Sequence, residues 1–161
     1  MVKLVGGASK FDSNNNDWET TGTLFDLLNL EFHFTIDLAA SEHNKKVGTY
    51  FSKIDNALEQ EWRGVCWCNP PFGEKSGNQL KNFVKKGFED YKKYGSTIVM
   101  LLPARTNTNW WNNYCNNATE IRFIRGRPPF KGCNFGLMQP LAIVIFSPHA
   151  DKTIVKSQEW K

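Results

Sequence analysis

The chain has 161 residues, with 20 Lys or Arg and 16 Asp or Glu, so its net charge is +4. This length predicts one domain over residues 1–161, with residues 1–16 and 148–161 flexible or peripheral. A composition of 40% hydrophobic and 22% charged residues excludes a wholly disordered chain. The longest apolar run, near residues 97–102, excludes a membrane span, and we expect no signal peptide.

Apolar periodicity predicts helices that alternate with short strands. Helical spacing follows Thr21 or Thr23 and recurs at residues 79–94 and 108–117. Apolar runs predict strands at residues 34–38, 64–68, 96–102, 120–124 and 141–146. Several of these runs lack polar alternation, which is typical of strands that are covered on both faces. We therefore predict an α/β fold with a mixed, mostly parallel sheet and helices on both faces.

The four cysteines do not have the paired spacing of a zinc site. Cys66 and Cys68 alternate along a predicted strand and so share one face, where they fit as small hydrophobic residues. We expect no structural metal and a reducing compartment, the cytoplasm.

The segment Asn69-Pro70-Pro71-Phe72 follows a predicted strand, at the edge of the sheet where ligands bind. Its prolines stiffen the backbone, and the segment offers an amide oxygen, carbonyl oxygens and an aromatic face. These groups are suited to a planar ring that carries an exocyclic amine, because two acceptors can take its two N–H bonds. The alternative is a rigid turn between strand and helix.

A second strand end carries Asp37, followed by Leu, Ala, Ala and Ser41. The carboxylate can bind sugar hydroxyls or an ammonium group, and the small residues permit a close approach to the backbone. The pattern GxGxxG is absent, and a helix-capping Asp in a buried turn is the alternative. Asp55 and Asn56 are available to an adenine ring or simply cap a helix. Trp18 is by default a core residue.

Aromatic residues make up 14% of the chain, and positive charge concentrates in its second half. The rings are either core or part of a stacking surface. Four cations within ten residues, mixed with Phe and Pro, are typical of a nucleic-acid-binding loop, with a solvated hairpin as an equal alternative. The candidate phosphate-binding residues are Arg105, Arg122, Arg125, Arg127 and Lys131.

In their order along the chain, these motifs resemble the phage-type DNA N6-adenine methyltransferases, the phage Dam family. The resemblance covers about residues 18–146, and two departures from the family pattern are a missing Phe-x-Gly-x-Gly loop and Phe72 in place of Tyr. The segments that carry it are DWET at 17–20, DLAAS at 37–41, DN at 55–56, CNPPF at 68–72, LLPAR at 101–105 and IRFIRGR at 121–127.

The resemblance implies a Rossmann-like methyltransferase that transfers a methyl group from S-adenosylmethionine to the N6 amine of adenine in double-stranded DNA. Asn69, Pro70, Pro71 and Phe72 would hold a flipped adenine, without a covalent intermediate or a metal. We expect a monomer or weak homodimer in the cytoplasm, that of a bacterial host cell if the chain is phage-encoded. The implied cofactor-binding residues are Trp18, Thr20, Asp37, Ala39, Asp55 and Asn69.

Other functions stay open from the residues alone. The same pocket suits N4-cytosine methylation, and methylation of RNA or of protein glutamine uses similar amine chemistry. A catalytically silent DNA-binding protein is favoured slightly by the missing glycine loop and disfavoured by the intact Asn69-Pro70-Pro71-Phe72 motif. C5-cytosine methylation is excluded, because it needs a nucleophilic Cys after a Pro and no Pro in the chain is followed by Cys.

Overall fold

A computed structural model describes residues 22–71, 77–128, 139–148 and 153–160. It contains a six-stranded sheet in the order β1-β2-β3-β5-β4-β6. The strands are β1 Ile36–Asp37, β2 Val65–Cys68, β3 Thr97–Pro103, β4 Glu120–Ile124, β5 Leu141–Phe146 and β6 Ile154–Gln158. The helices are α1 Gly22–Phe32, α2 Gly77–Tyr94 and α3 Asn109–Asn113, with 3₁₀ turns at Ala57–Glu59 and Cys115–Asn117.

Five of the six strands run in one direction. β1, β2 and β3 are mutually parallel, β4 and β6 are parallel, and β5 is antiparallel to both of its neighbours, β3 and β4. The ends of five strands and the start of β5 therefore lie along one edge of the sheet, which we name the carboxyl edge. This arrangement confirms the predicted mixed, mostly parallel sheet.

Helices cover both faces of the sheet, as predicted. On one face, Phe25 of α1 packs edge-on against Trp67, with ring centroids 5.5 Å apart. Trp67 is in register with Val99, so the next residue, Met100, points to the opposite face. There α2 approaches so closely that a Cβ on Gly87 would lie 3.1 Å from the Met100 sulfur. A glycine at this point lets α2 sit directly on β3.

The predicted elements differ from the structure mainly at their ends. β1 is shorter than the predicted strand at 34–38, because the Phe34 N–H donates to Asn29 Oδ1 of α1 at 2.9 Å and ties the chain to that helix. The predicted helix at 108–117 is one short α-helix, capped by Thr108, followed by a 3₁₀ turn. The predicted strands at 120–124 and 141–146 are confirmed.

The sequence pattern did not predict β6, which lies in the region expected to be flexible or peripheral. It is an edge strand that pairs only with β4, and most of its side chains are exposed. Because one side of an edge strand stays in water, its residues need no apolar pattern. β6 is thus defined by backbone pairing that residue types do not reveal.

Eight aromatic side chains in the described part of the chain are buried in the core. Trp62, Trp67, Trp110 and Trp111 are all buried, and so is Phe146. For these residues, the structure favours the first of the two alternatives, packing in the core, over a stacking surface. None of the helices in the described ranges combines the length and apolarity needed to cross a bilayer.

Candidate active site

A cavity of about 670 Å³ opens at the carboxyl edge beside β1 and β2. This volume is in the range of pockets that enclose small-molecule ligands. Three stretches of chain form most of its walls: residues 37–46 after β1, residues 51–58, and residues 69–71 after β2. Gln79 and Phe83 of α2 complete the lining of the cavity on the side of that helix. The cavity therefore lies where the strand ends predicted a ligand.

Asp37 lies at the base of this cavity, with only 3% of its surface exposed. Its Oδ1 accepts a hydrogen bond from the backbone N–H of Ala39 at 3.3 Å, and its Oδ2 accepts one from Lys46 at 3.1 Å. Burial raises the pKa of the carboxyl above its usual value, and the two backbone hydrogen bonds oppose that shift. Asp37 thus holds both ends of the loop that forms one wall.

Asn69, Pro70 and Pro71 follow β2 and form the neighbouring wall. Pro70 is buried, while Asn69 and Pro71 are half-buried. The cysteine before them is no nucleophile, since burial raises the pKa of the Cys68 thiol well above its usual value and keeps the thiol protonated. Phe72, the last residue of the predicted motif, lies outside the described residues.

Residues 52–56 form a tight turn on the far side of the cavity. Asp55 Oδ2 accepts hydrogen bonds from the backbone N–H of Ser52 at 2.8 Å and from its hydroxyl at 2.6 Å. These bonds hold the pKa of Asp55 below its usual value. The cavity is lined by Ser52, Lys53, Ile54 and Asn56 of this turn and not by Asp55. The Asp55 carboxylate, which was predicted to contact the cofactor, thus accepts hydrogen bonds within the turn.

Three of the predicted phosphate-binding residues lie along the carboxyl edge. Arg105 follows β3, and its Nη2 donates to Gln139 Oε1 at 3.3 Å. Arg125 and Arg127 follow β4 and are exposed, and Arg125 Nη1 lies 3.1 Å from Glu159 Oε1. The same edge therefore carries the cavity and these cations. Lys131 lies outside the described residues.

Arg122, also predicted to bind a phosphate, is buried in the structure. Its side chain points into the α1 face of β4, and the residue is only 3% exposed. Nη1 donates to Glu31 Oε2 of α1 at 2.6 Å, Nε donates to Glu120 Oε1 at 2.8 Å, and Nη1 also donates to Gln158 Oε1 of β6 at 3.1 Å. A guanidinium held by these partners links α1, β4 and β6.

Five of the predicted site residues meet at the cavity: Asp37, Ala39, Asn69, Pro70 and Pro71. Trp18 and Thr20, predicted to bind the cofactor, lie outside the described residues. Sequence reasoning missed Phe83, because helical spacing alone does not separate a core position from a cavity wall. It also missed Ile54, although a single apolar residue among polar neighbours was a usable signal.

The described ranges contain no group of three or more His, Cys, Asp or Glu residues arranged to hold a metal ion.

Comparison with known proteins identifies the family to which the chain belongs. The profile of the family described as DNA N-6-adenine-methyltransferase (Dam) matches residues 7–143. A DNA N-6-adenine-methyltransferase of Haemophilus phage HP1 (strain HP1c1) is 32% identical over 154 residues, which is 90% of this chain and 86% of that protein. A protein of the same name from Escherichia phage T1 is 31% identical over 121 residues, 73% of this chain and 48% of that protein. The chain belongs to the DNA N-6-adenine-methyltransferase (Dam) family.

Proposed function

We propose that this chain transfers a methyl group from S-adenosylmethionine to the N6 amine of adenine in double-stranded DNA. One observation carries the proposal: Asn69, Pro70 and Pro71 line the same cavity as the loop that Asp37 holds. An amine-binding segment and a wall of small residues thus face one enclosed space. Family membership implies the methyl donor, and the site supplies the place for it.

The residues of the cavity fit S-adenosylmethionine. Ala39 and Ala40 have side chains small enough to let a ligand approach the backbone, while Ser41 and Asn44 offer hydrogen-bonding groups to polar parts of the cofactor. Apolar side chains elsewhere in the lining suit its adenine ring. We assign the cofactor to this cavity, with Trp18 and Thr20 contributing from the preceding segment.

Asn69 and the Pro70 carbonyl provide the acceptors for the amine of the target base. When bound, S-adenosylmethionine supplies an electrophilic methyl group on sulfur, and its transfer to N6 leaves a neutral thioether and releases one N6 proton. By accepting both N6–H bonds, the two oxygens localise the nitrogen lone pair and favour the developing positive charge. The Asn69 Oδ1 atom is buried, so we expect its amide to turn toward the cavity when a base enters.

The target adenine must leave the duplex to reach Asn69, which costs a few kcal/mol of unstacking. Stacking of the base on Phe72 offsets part of this cost. Four basic residues follow strands β3 and β4 in the sequence, and we assign them to DNA phosphates: Arg105, Arg125, Arg127 and Lys131. We assign the reaction to the cytoplasm, that of a bacterial host cell if the chain is phage-encoded.

The test is to incubate the protein with S-adenosylmethionine carrying a labelled methyl group and with unmethylated duplex DNA, and then to hydrolyse the DNA to nucleosides. We expect the label in N6-methyladenine. Label in N4-methylcytosine would assign the cytosine reaction, and no label would indicate a silent DNA-binding protein. Either result overturns the proposal.

The variant Asn69→Ala tests the role of Asn69 in the mechanism. It removes one acceptor without touching residues 37–46, so we expect transfer to fall by about 100- to 1,000-fold. Binding of S-adenosylmethionine should stay within about twofold of wild type in titration calorimetry. Full methylation by this variant would refute the role of Asn69.

A further inference from the structure

Ile54 is the most exposed large apolar residue in the described part of the chain. Its side chain is 96% exposed, whereas the next, Leu30 on α1, is 74% exposed. Single exposed apolar residues are common on protein surfaces and need no explanation by themselves. Ile54 differs from Leu30 because it also lines the cavity of the candidate active site.

The turn that presents Ile54 is held by an internal set of hydrogen bonds. The Ile54 N–H donates to Ser52 Oγ at 3.2 Å, and Ser52 in turn donates to the Asp55 carboxylate. Gln60 Nε2 donates to the Asp55 carbonyl at 2.7 Å, and Asn56 takes the left-handed conformation with φ of 49°. The side chain is thus exposed on an ordered turn, so covering it loses little backbone entropy.

The position of this turn follows from the sheet. The chain at residues 49–51 runs alongside β1: the Asp37 N–H donates to the Thr49 carbonyl at 3.0 Å and the Phe51 N–H donates to the Asp37 carbonyl at 2.9 Å. Across the carboxyl edge the order is therefore the turn, β1 and then β2, which ends before Asn69. Two strand spacings separate the path of residues 49–51 from β2, about 10 Å.

This separation decides which part of a methyl donor meets Ile54. The transferable methyl group must lie near Asn69, and the adenine ring lies at one end of the elongated S-adenosylmethionine molecule. The wall around the turn is mixed: Phe51, Ala57 and Leu58 lie beside Ile54, and the polar residues of the wall are Ser52, Lys53 and Asn56. The apolar side chains suit the faces of a purine, and the polar groups suit its ring nitrogens. The charged methionine end requires polar partners, which Ser41, Asn44 and Lys46 offer on the loop after β1.

We propose that Ile54 packs against the adenine ring of S-adenosylmethionine, and that Asp55 is a positioning residue that sets the turn rather than a ligand of the cofactor. This inference rests on the proposed function, since it requires the cofactor to occupy the cavity. It assigns the cofactor contact of this segment to an apolar side chain, where the family resemblance pointed to a carboxylate.

The first test compares Ile54→Ala with Leu30→Ala, a substitution of another exposed apolar residue that does not line the cavity. Titration calorimetry measures binding of S-adenosylmethionine, of adenosine and of methionine to each variant. We expect Ile54→Ala to weaken S-adenosylmethionine and adenosine about tenfold and to leave any methionine binding unchanged. Leu30→Ala should bind all three as the wild type does.

Three results overturn the inference in distinguishable ways. If Ile54→Ala and wild type bind S-adenosylmethionine with equal affinity, Ile54 does not contact the adenine ring. Unchanged cofactor affinity together with weaker DNA binding would identify Ile54 as an apolar wedge for the DNA base stack. A wild-type protein that binds no S-adenosylmethionine overturns the proposed function as well.

The second test separates positioning by Asp55 from direct contact. Asp55→Asn keeps an acceptor oxygen for the Ser52 N–H and hydroxyl, so we expect cofactor affinity within about threefold of wild type. Asp55→Ala removes both hydrogen bonds and should weaken the cofactor about tenfold. Equal losses in the two variants, with unchanged thermal unfolding, would instead show that the charge of Asp55 binds the cofactor.

Discussion

The two flanks of the carboxyl edge hold their charged residues in different ways. On the cavity flank, Asp37 and Asp55 are bound by backbone N–H groups, helped by the Ser52 hydroxyl. On the β4 flank, the buried Arg122 is bound by the carboxylates of Glu31 in α1 and of Glu120 in β4 itself. Main-chain bonds shape a loop locally, whereas the arginine joins three elements that are distant in sequence. Charge shapes a binding wall on one flank and stabilises the fold on the other.

The largest effect is expected from Arg122→Met. This change removes the buried guanidinium and its hydrogen bonds to Glu31, Glu120 and Gln158, while Lys156 still pairs with Glu120. Because each hydrogen bond to a charged group contributes about 1.5–3 kcal/mol, we expect the free energy of unfolding to fall by about 3 kcal/mol. Urea unfolding measures the loss. The control Arg127→Met changes an exposed arginine past the end of β4 and should stay within about 0.5 kcal/mol. Equal effects of the two changes would contradict the assignment of Arg122 to the fold.

Asp37→Asn tests the cavity flank and should have a smaller effect on stability. One of the two backbone N–H groups loses its acceptor, which lowers the free energy of unfolding by about 1–2 kcal/mol. The loop at residues 38–46 then loosens, and S-adenosylmethionine should bind less tightly in calorimetry. Asp26→Asn, on the exposed side of α1, is the matched control and should change neither property.

Removing a positive charge that follows β4 should weaken DNA binding and leave the fold intact. For Arg127→Ala we expect DNA to bind several-fold more weakly, with the slope of log affinity against log salt reduced by about 1. Fluorescence anisotropy over a salt series measures both, and thermal unfolding should not change. Lys92→Ala, in the last turn of α2, removes one positive charge away from the carboxyl edge. If Lys92→Ala gave the same loss, binding would depend on net charge alone.

The smallest effect concerns the response of the β4 flank to acid. Hydrogen bonding to Arg122 lowers the pKa of Glu31 below its usual 4.5. A carboxyl whose pKa is lowered on folding stabilises the folded state above the unfolded pKa and loses this contribution as the pH falls through the folded value. Because Glu31 is exposed, Glu31→Gln should lower stability by less than about 1 kcal/mol at neutral pH.

Thermal unfolding of wild type and Glu31→Gln from about pH 7 to about pH 3 tests the sign of this effect. The difference between the two proteins should be constant at the upper end and shrink below the usual carboxyl pKa. A difference that grows in acid would contradict the assignment.

Residue patterns predicted the buried strands and missed β6, an edge strand whose position depends on backbone pairing with β4. The apolar runs of β3 and β5 left little choice of structure, because strands in the middle of a covered sheet are apolar on both faces. β6 carried no such pattern, since its neighbour on one side is water. The motif Asn69-Pro70-Pro71 was placed correctly because a parallel strand delivers its carboxyl end to a known edge.

Arg122 and Arg127 illustrate the limit for the site. Both stood in one basic stretch and were given the same role, but only Arg122 lies within β4, two residues after Glu120 and therefore on the same face. That spacing was a usable sign of an ion pair on the sheet. The contribution of Glu31 came from α1, 91 residues away, and no local pattern reports such a contact.

The reversed direction of β5 has a consequence for the connection between β4 and β5. β4 ends and β5 begins at the carboxyl edge, and the two strands are neighbours in the sheet. The chain segment that joins them therefore starts and finishes at almost the same place, on the edge that carries the cavity. Changing the length of such a segment adds little closure entropy. A change in this connection should therefore leave the sheet and the cavity as they are.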